Sequence, residues 1–267
     1  MPPTIHLIRH AEGVHNLSFD NHGLHDPGLT DRGREQAQEL AVRLTRLQAD
    51  GVVDIRLVLA SALRRTLMTA LAAFAPQLAR KQPAAVHAWP AVQEVSDLPC
   101  DSGSSLPLVQ EEFGSELVNY DLVESGWELK QGKYANTASA VTARALAARE
   151  WLKRQPYKDI AVLSHGCFLH FLTEDWEGSD SPQGKQCLAA ERQNSKACID
   201  RNQGTSWRRT ELRSFTFSPN HEGEAVLVET SDSRERRGLV TAPPSAEEQK
   251  RLRQATLETW TEWGILQ

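Results

Sequence analysis

Short solid apolar runs alternate along this chain with longer stretches whose apolar residues recur at helical spacing. Ile5-His6-Leu7-Ile8 reads as a buried strand that delivers the polar pair Arg9-His10 at its carboxyl end. Thr30 then suits the N-cap of an amphipathic helix running to Leu47. Ile55 to Ala60 predicts a second strand, followed by Ser61 as a cap and a helix to about Leu78. Ala85 to Trp89 predicts a third strand. The alanine-rich spacing of Ser139 to Arg154 predicts a helix. Ile160 to Ser164 is the clearest strand, and it too ends in a histidine, His165. A strand at Ala225 to Val228, a polar turn at Ser231 to Arg237 and a helix from Ser245 to Trp263 follow.

Strands alternating with helices predict an α/β fold: a three-layer α/β/α sandwich whose central sheet is mostly parallel and covered on both faces. In such sheets ligands bind beyond the carboxyl ends of the strands, so His10 and His165 are expected to face one crevice. Two segments rich in Gly, Ser, Pro and charge, about 96–136 and 174–222, break the alternation and read as lid insertions. One domain covering residues 1–267 is the expectation at this length.

Composition narrows the function classes. A formal net charge of -5 provides no global positive field for nucleic acid or anionic membranes, so any anion must be held locally. No apolar stretch approaches the ~20 residues of a membrane span. Met1-Pro2-Pro3-Thr4 runs at once into an apolar run, leaving no room for a leader's charged and hydrophobic regions, so a cytoplasmic location is the default. Four cysteines without paired spacing read as reduced thiols. His15, His22 and His25 with Asp20 and Asp26 fit no zinc pattern and read as a solvated loop, His15 alone being a candidate to stand near a bound phosphate, so neither metal nor cofactor is expected. Trp260 and Trp263 read as packing anchors, and the Arg-rich stretch 208–213 as surface.

A neutral, oriented imidazole can attack a phosphoryl group, and arginines with a second histidine can supply the positive charge such a transfer needs. The chain offers Arg9 beside His10, Arg65 within Ser61-Ala62-Leu63-Arg64-Arg65-Thr66, and His165 within Ser164-His165-Gly166. With Arg9-His10-Ala11-Glu12 after the first strand, this set resembles the histidine phosphatase superfamily, the phosphoglycerate mutase-like proteins, whose motif is Arg-His-Gly-Glu. The resemblance extends through Asn16 and Leu29-Thr30 to Gly33, and runs in order from residue 4 to 173, with weaker support to about 229.

That resemblance implies a metal-independent phosphomonoester hydrolase acting through a phosphohistidine on a small-molecule phosphate ester. It implies His10 as the nucleophile, with Arg9, Asn16, Arg65 and His165 on the phosphoryl group. Arg65 fits the family position better than Arg64, which on a helix points about 100° away. Glu94 stands where the family keeps its proton donor, which requires burial to raise its pKa against nearby arginines; Asp97 or Glu12 is next in line. Ala11 replaces the usual glycine without removing a catalytic group. An acidic segment from Ser96 to Glu128, free of Lys and Arg, opposes a second anionic group and favours a phosphatase over a phosphomutase, while the basic stretch Lys185 to Arg213 is a counterweight. A repurposed or purely anion-binding protein is a further alternative. The oligomeric state is open.

Overall fold

The computed structural model describes residues 1–179, 205–220 and 224–267. Among the described residues seven strands, β1 (Thr4–Arg9), β2 (Ile55–Ala60), β3 (Val86–Ala88), β4 (Val118–Asn119), β5 (Asp159–Ser164), β6 (Leu212–Phe217) and β7 (Leu227–Glu229), form one sheet in the order β4-β3-β2-β5-β1-β6-β7. Neighbours from β4 to β1 pair in parallel, whereas β6 runs antiparallel to both β1 and β7. Side chains alternate between the two faces. Ile5, Leu7, Leu59 and Val162 pack with helices α5 (Ala138–Lys153), α6 (Gly166–Thr173) and α8 (Ala246–Glu262). Ile8, Val58, Ala161 and Leu163 pack with α1 (Asp31–Ala49), α2 (Arg64–Ala73), α3 (Ala75–Leu78) and α4 (Leu106–Phe113) on the other face. The expected three layers follow from this division.

Local chemistry explains most boundaries. Thr30 caps α1 by accepting from the Gly33 amide, and Thr137 and Ser245 cap α5 and α8 in the same way. Buried Gly33, Ala37, Leu40, Ala41 and Leu44 trace one face of α1. A β-carbon on Gly33 would stand 2.1 Å from the Glu12 carbonyl oxygen, so only glycine lets α1 approach the segment after β1.

Several boundaries differ from expectation. The helix expected from Ser61 to Leu78 is two: Leu63 holds the N-cap of α2, and Pro76 starts α3, since its ring and missing N–H cannot continue a helix. The expected polar turn at 231–237 contains the helix α7 (Ser231–Arg236), capped by Thr230. The first insertion, 96–136, contributes β4 to the sheet edge. The second, placed at 174–222, is too long, because Leu212–Phe217 is a sheet strand beside β1; residues 180–204 of that insertion lie outside the described residues.

The Arg-rich stretch is likewise not all surface. Arg213 is fully buried, its guanidinium 3.7 Å from the centroid of the Trp207 ring and 3.1 Å from the Glu211 carboxylate. Burying an arginine costs little once stacking and ion pairing replace its water. At the far end of the sheet, His6 bridges Ser214 and Asp159, both 3.0 Å away, tying β1 to β6 and β5 internally.

Candidate active site

The parallel register sets the site. Arg9 lies opposite Ser164, and Ala60 opposite both Leu163 and Ala88, so β1, β5, β2 and β3 release their next residues along one edge. His10 follows β1 and is held by its amide, which donates to the Ser164 carbonyl at 3.0 Å. His165 follows β5, and the two rings lie with centroids 5.1 Å apart. The sequence-based pairing of these histidines is therefore a spatial fact.

Their tautomers follow from their partners. His10 Nδ1 is 2.6 Å from the Ala11 carbonyl, which can only accept; Nδ1 carries the proton and Nε2 the lone pair. Burial, then Arg65 and Arg9, push the His10 pKa well below its ordinary value. His165 Nδ1 accepts from Arg65 Nη2 at 3.1 Å, so its Nε2–H donates to Thr66 Oγ1 at 3.2 Å. Burial and Arg65 depress His165 similarly.

Arg65 is 1% exposed on the inner face of α2, while neighbouring Arg64 pairs with Glu112 near the surface. Arg65 donates to the Cys100 carbonyl (2.6 Å) and to Asp101 Oδ1 (2.7 Å). Arg9 donates to the Trp207 carbonyl at 2.6 Å and to Thr205 Oγ1 at 3.2 Å. Burial brings the Arg9 pKa to about 10, which leaves it cationic near neutral pH.

Glu94 follows β3 and the short turn Pro90–Val92, and its carboxyl meets the first turn of α6. Oε1 accepts from the Phe168 amide (2.9 Å) and the Val95 amide (3.1 Å), and Oε2 from the Cys167 amide (3.3 Å). These bonds and Arg65 favour the carboxylate; burial and the neighbouring Asp101 outweigh them and raise the pKa. Lys130 and Arg144 brace this turn from behind. Lys130 Nζ donates to the Glu94 carbonyl (2.8 Å) and Arg144 to the Gln93 carbonyl (2.7 Å).

A cavity of about 120 Å³ opens over this edge, lined by Arg9, His10, Arg65 and Glu94 among the expected residues. His165 and Asn16 are buried and do not line it. Asn16 Oδ1 accepts from the Gly13 amide, which aims Nδ2 at His15 Nε2, 2.9 Å away. His15 is buried and lines the cavity with His22, so the loop is not simply solvated, and His15 stands at the cavity as its alternative reading had it. Asp26 is buried too, accepting from the Arg64 amide and from Ser104. Glu12 accepts from Arg209 (2.7 Å) and Thr30 (2.8 Å), and Asp97 is exposed; neither lines the cavity. Ala11 needs no positive φ, and its amide donates to Thr69.

Sequence reasoning missed Asp101, Thr205, Trp263 and Ile265 as cavity walls, and Lys130, which holds the Glu94 carbonyl. Asp101 also corrects the reading of the acidic lid: it is paired to Arg65, Glu112 to Arg64 and Glu124 to Lys133, so much of that charge is neutralised. Cys167, at the start of α6, lines the cavity, but burial and Glu94 push its thiol well above the usual range, away from the reactive thiolate.

Fold and site together define an α/β protein with a pocket built around a strand-end histidine and lined by two arginines. Residues 5–208 match the histidine phosphatase superfamily (branch 1), and the chain belongs to that family. It is 26% identical over 214 residues to a phosphoglycerate mutase-like protein of Arabidopsis thaliana, covering 69% of this chain and 76% of the relative. It is 26% identical over 179 residues to a probable phosphatase of Schizosaccharomyces pombe, covering 67% and 81%. Among solved structures, the ecdysone phosphate phosphatase of Bombix mori, in complex with tungstate, is 18% identical, covering 91% of this chain and 94% of that one at a TM-score of 0.46. No described helix is long and apolar enough to cross a membrane.

Proposed function

We propose that this chain hydrolyses phosphomonoesters of small molecules through a phosphohistidine at His10, without a metal ion. The observation that carries the reading is the anchoring of His10 Nδ1 on the Ala11 carbonyl, 2.6 Å away, with Arg9, Arg65 and Glu94 lining the same cavity. The anchored ring presents a neutral Nε2 as nucleophile, and its depressed pKa keeps it neutral through the physiological range.

In the first step Nε2 attacks phosphorus and the bond to the leaving oxygen breaks, while protonated Glu94 gives that oxygen its proton. In the second, Glu94 carboxylate takes a proton from water, the water oxygen attacks phosphorus, and the P–N bond breaks to release inorganic phosphate. Glu94 is protonated again at the end. Arg9 and Arg65 hold the charge on the equatorial oxygens, where fixed cations in a dry site are worth most. Burial of Glu94, which raises its pKa, suits it to donate first and accept second.

A phosphomutase needs cations for a second anionic group. Arg9 and Arg65, the lysines or arginines on the described lining, are both committed in this reading to the one phosphoryl group. The test is phosphate release in the presence of a chelator, with acid quenching to trap a labelled phosphohistidine. His10→Ala is expected to abolish both. Turnover by His10→Ala, or no labelled histidine in a working wild-type enzyme, overturns the proposal.

A further inference from the structure

We infer that Trp263 and Ile265, with Phe19 and Leu98, form an apolar subsite for the leaving group, so that the favoured substrates are phosphomonoesters of apolar, uncharged alcohols. This rests on the phosphatase reading above. Both Trp263 and Ile265 lie beyond residue 208, where the family match ends.

The wall is built by the turn after α8. Gly264 takes a φ of 69°, which reverses the chain and brings the Ile265 amide onto the Trp260 carbonyl at 2.9 Å. Buried Trp260 and Leu266 fasten the turn to the core. The Gln267 amide donates to the Asn136 carbonyl (3.0 Å) and its side chain to Asp97 (3.2 Å), across the first insertion. Trp263 and Ile265 are thereby held at the cavity, each partly covered. Phe19, on the same lining, keeps 40% of its surface exposed, apolar area that a bound ligand would cover.

Charge complements this division. The lining arginines, Arg9 and Arg65, stand at the phosphoryl end, and Arg65 already faces Asp101. Asp101 is already paired to Arg65, and Arg9 and Arg65 are both committed to the phosphoryl group, so the described lining offers a second anionic group no cation of its own. An apolar group meets rings and aliphatic side chains instead.

Methylphosphonate and phenylphosphonate share a dianionic head whose P–C bond this chemistry does not cleave, so their dissociation constants read the subsite without turnover. Calorimetry on the full chain is expected to show phenylphosphonate bound about 10- to 50-fold more tightly, the range that burying one ring produces. Trp263→Ser is expected to cut that preference about tenfold, and Trp263→Phe to restore most of it. No preference in the wild type overturns the inference. So does a Trp263→Ser variant that weakens both ligands equally, since that marks a merely structural tryptophan. Phosphate release from phenyl phosphate, followed on the same samples, separates the two readings. Preference without turnover removes the hydrolase and keeps the subsite, whereas turnover without preference does the reverse.

Discussion

Replacing Arg65 with methionine removes two things at once, and they can be measured apart. Arg65 Nη2 stands 2.7 Å from Asp101 Oδ1, with the two side chains 1% and 12% exposed. At an effective dielectric near 20 such a pair attracts by about 6 kcal/mol, most of which is offset by the desolvation of both ions. Breaking the pair strands a buried carboxylate, which costs about 3–5 kcal/mol. Asp101 still accepts from Ser96 Oγ at 2.5 Å, so the low end, about 3 kcal/mol, is expected. In a chain of this size that lowers Tm by about 6–12 °C. Asp101→Asn on top of Arg65→Met removes the stranded charge and is expected to recover most of the loss. Activity behaves otherwise: without the cation on the phosphoryl oxygens, kcat/KM falls about a thousandfold, and the second substitution does not restore it. Urea unfolding and phosphate release on the two variants decide the matter. A double variant no more stable than Arg65→Met refutes the ion-pair account, and a loss of kcat/KM below tenfold refutes the placement of Arg65 on the phosphoryl group.

Glu94→Gln is expected to slow release of an alkyl alcohol about 10²–10⁴-fold, and to slow an acidic leaving group such as p-nitrophenol far less, because only the former needs a proton; equal losses in the two assays contradict the donor role. His10, His15 and His165 all have pKa values pushed well below 6.5, so unfolding takes up protons once the pH falls below the unfolded value. Their stabilising contribution is fully present above that value and is lost as pH falls, at up to about 4 kcal/mol per pH unit. Glu94, with its raised value, acts in the opposite sense for one proton. Urea unfolding that is flat between pH 7 and 5.5 would contradict the burial of these rings. Gly33→Ala drives a β-carbon into the Glu12 carbonyl and is expected to cost about 1–3 kcal/mol or more, with lost activity, because Glu12 follows the His10 turn; unchanged Tm would count against that contact.

Sequence pattern alone determined the alternating strands and helices, the sheet class and the meeting of His10 with His165. These rest on local causes: apolar runs, Thr and Ser caps, and the rule that parallel strands release their ligand-facing residues at one edge. Arg65 over Arg64 came from the family resemblance, whose arginine falls four positions after the serine; helical geometry adds only that the two residues take different faces. Tertiary structure decided the rest. Strand β6 was hidden because its arginine is buried by stacking on Trp207 and pairing with Glu211, partners that only the fold supplies. Asp101 looked like one acid in an acidic segment until α2 brought Arg65 against it. Trp263 and Ile265 reach the cavity from the far end of the chain through the turn at Gly264, and no local periodicity reports which surface such a turn will meet. The histidine was written in the strand that carries it; the walls around it are long-range contacts, and those exist only once the chain is folded.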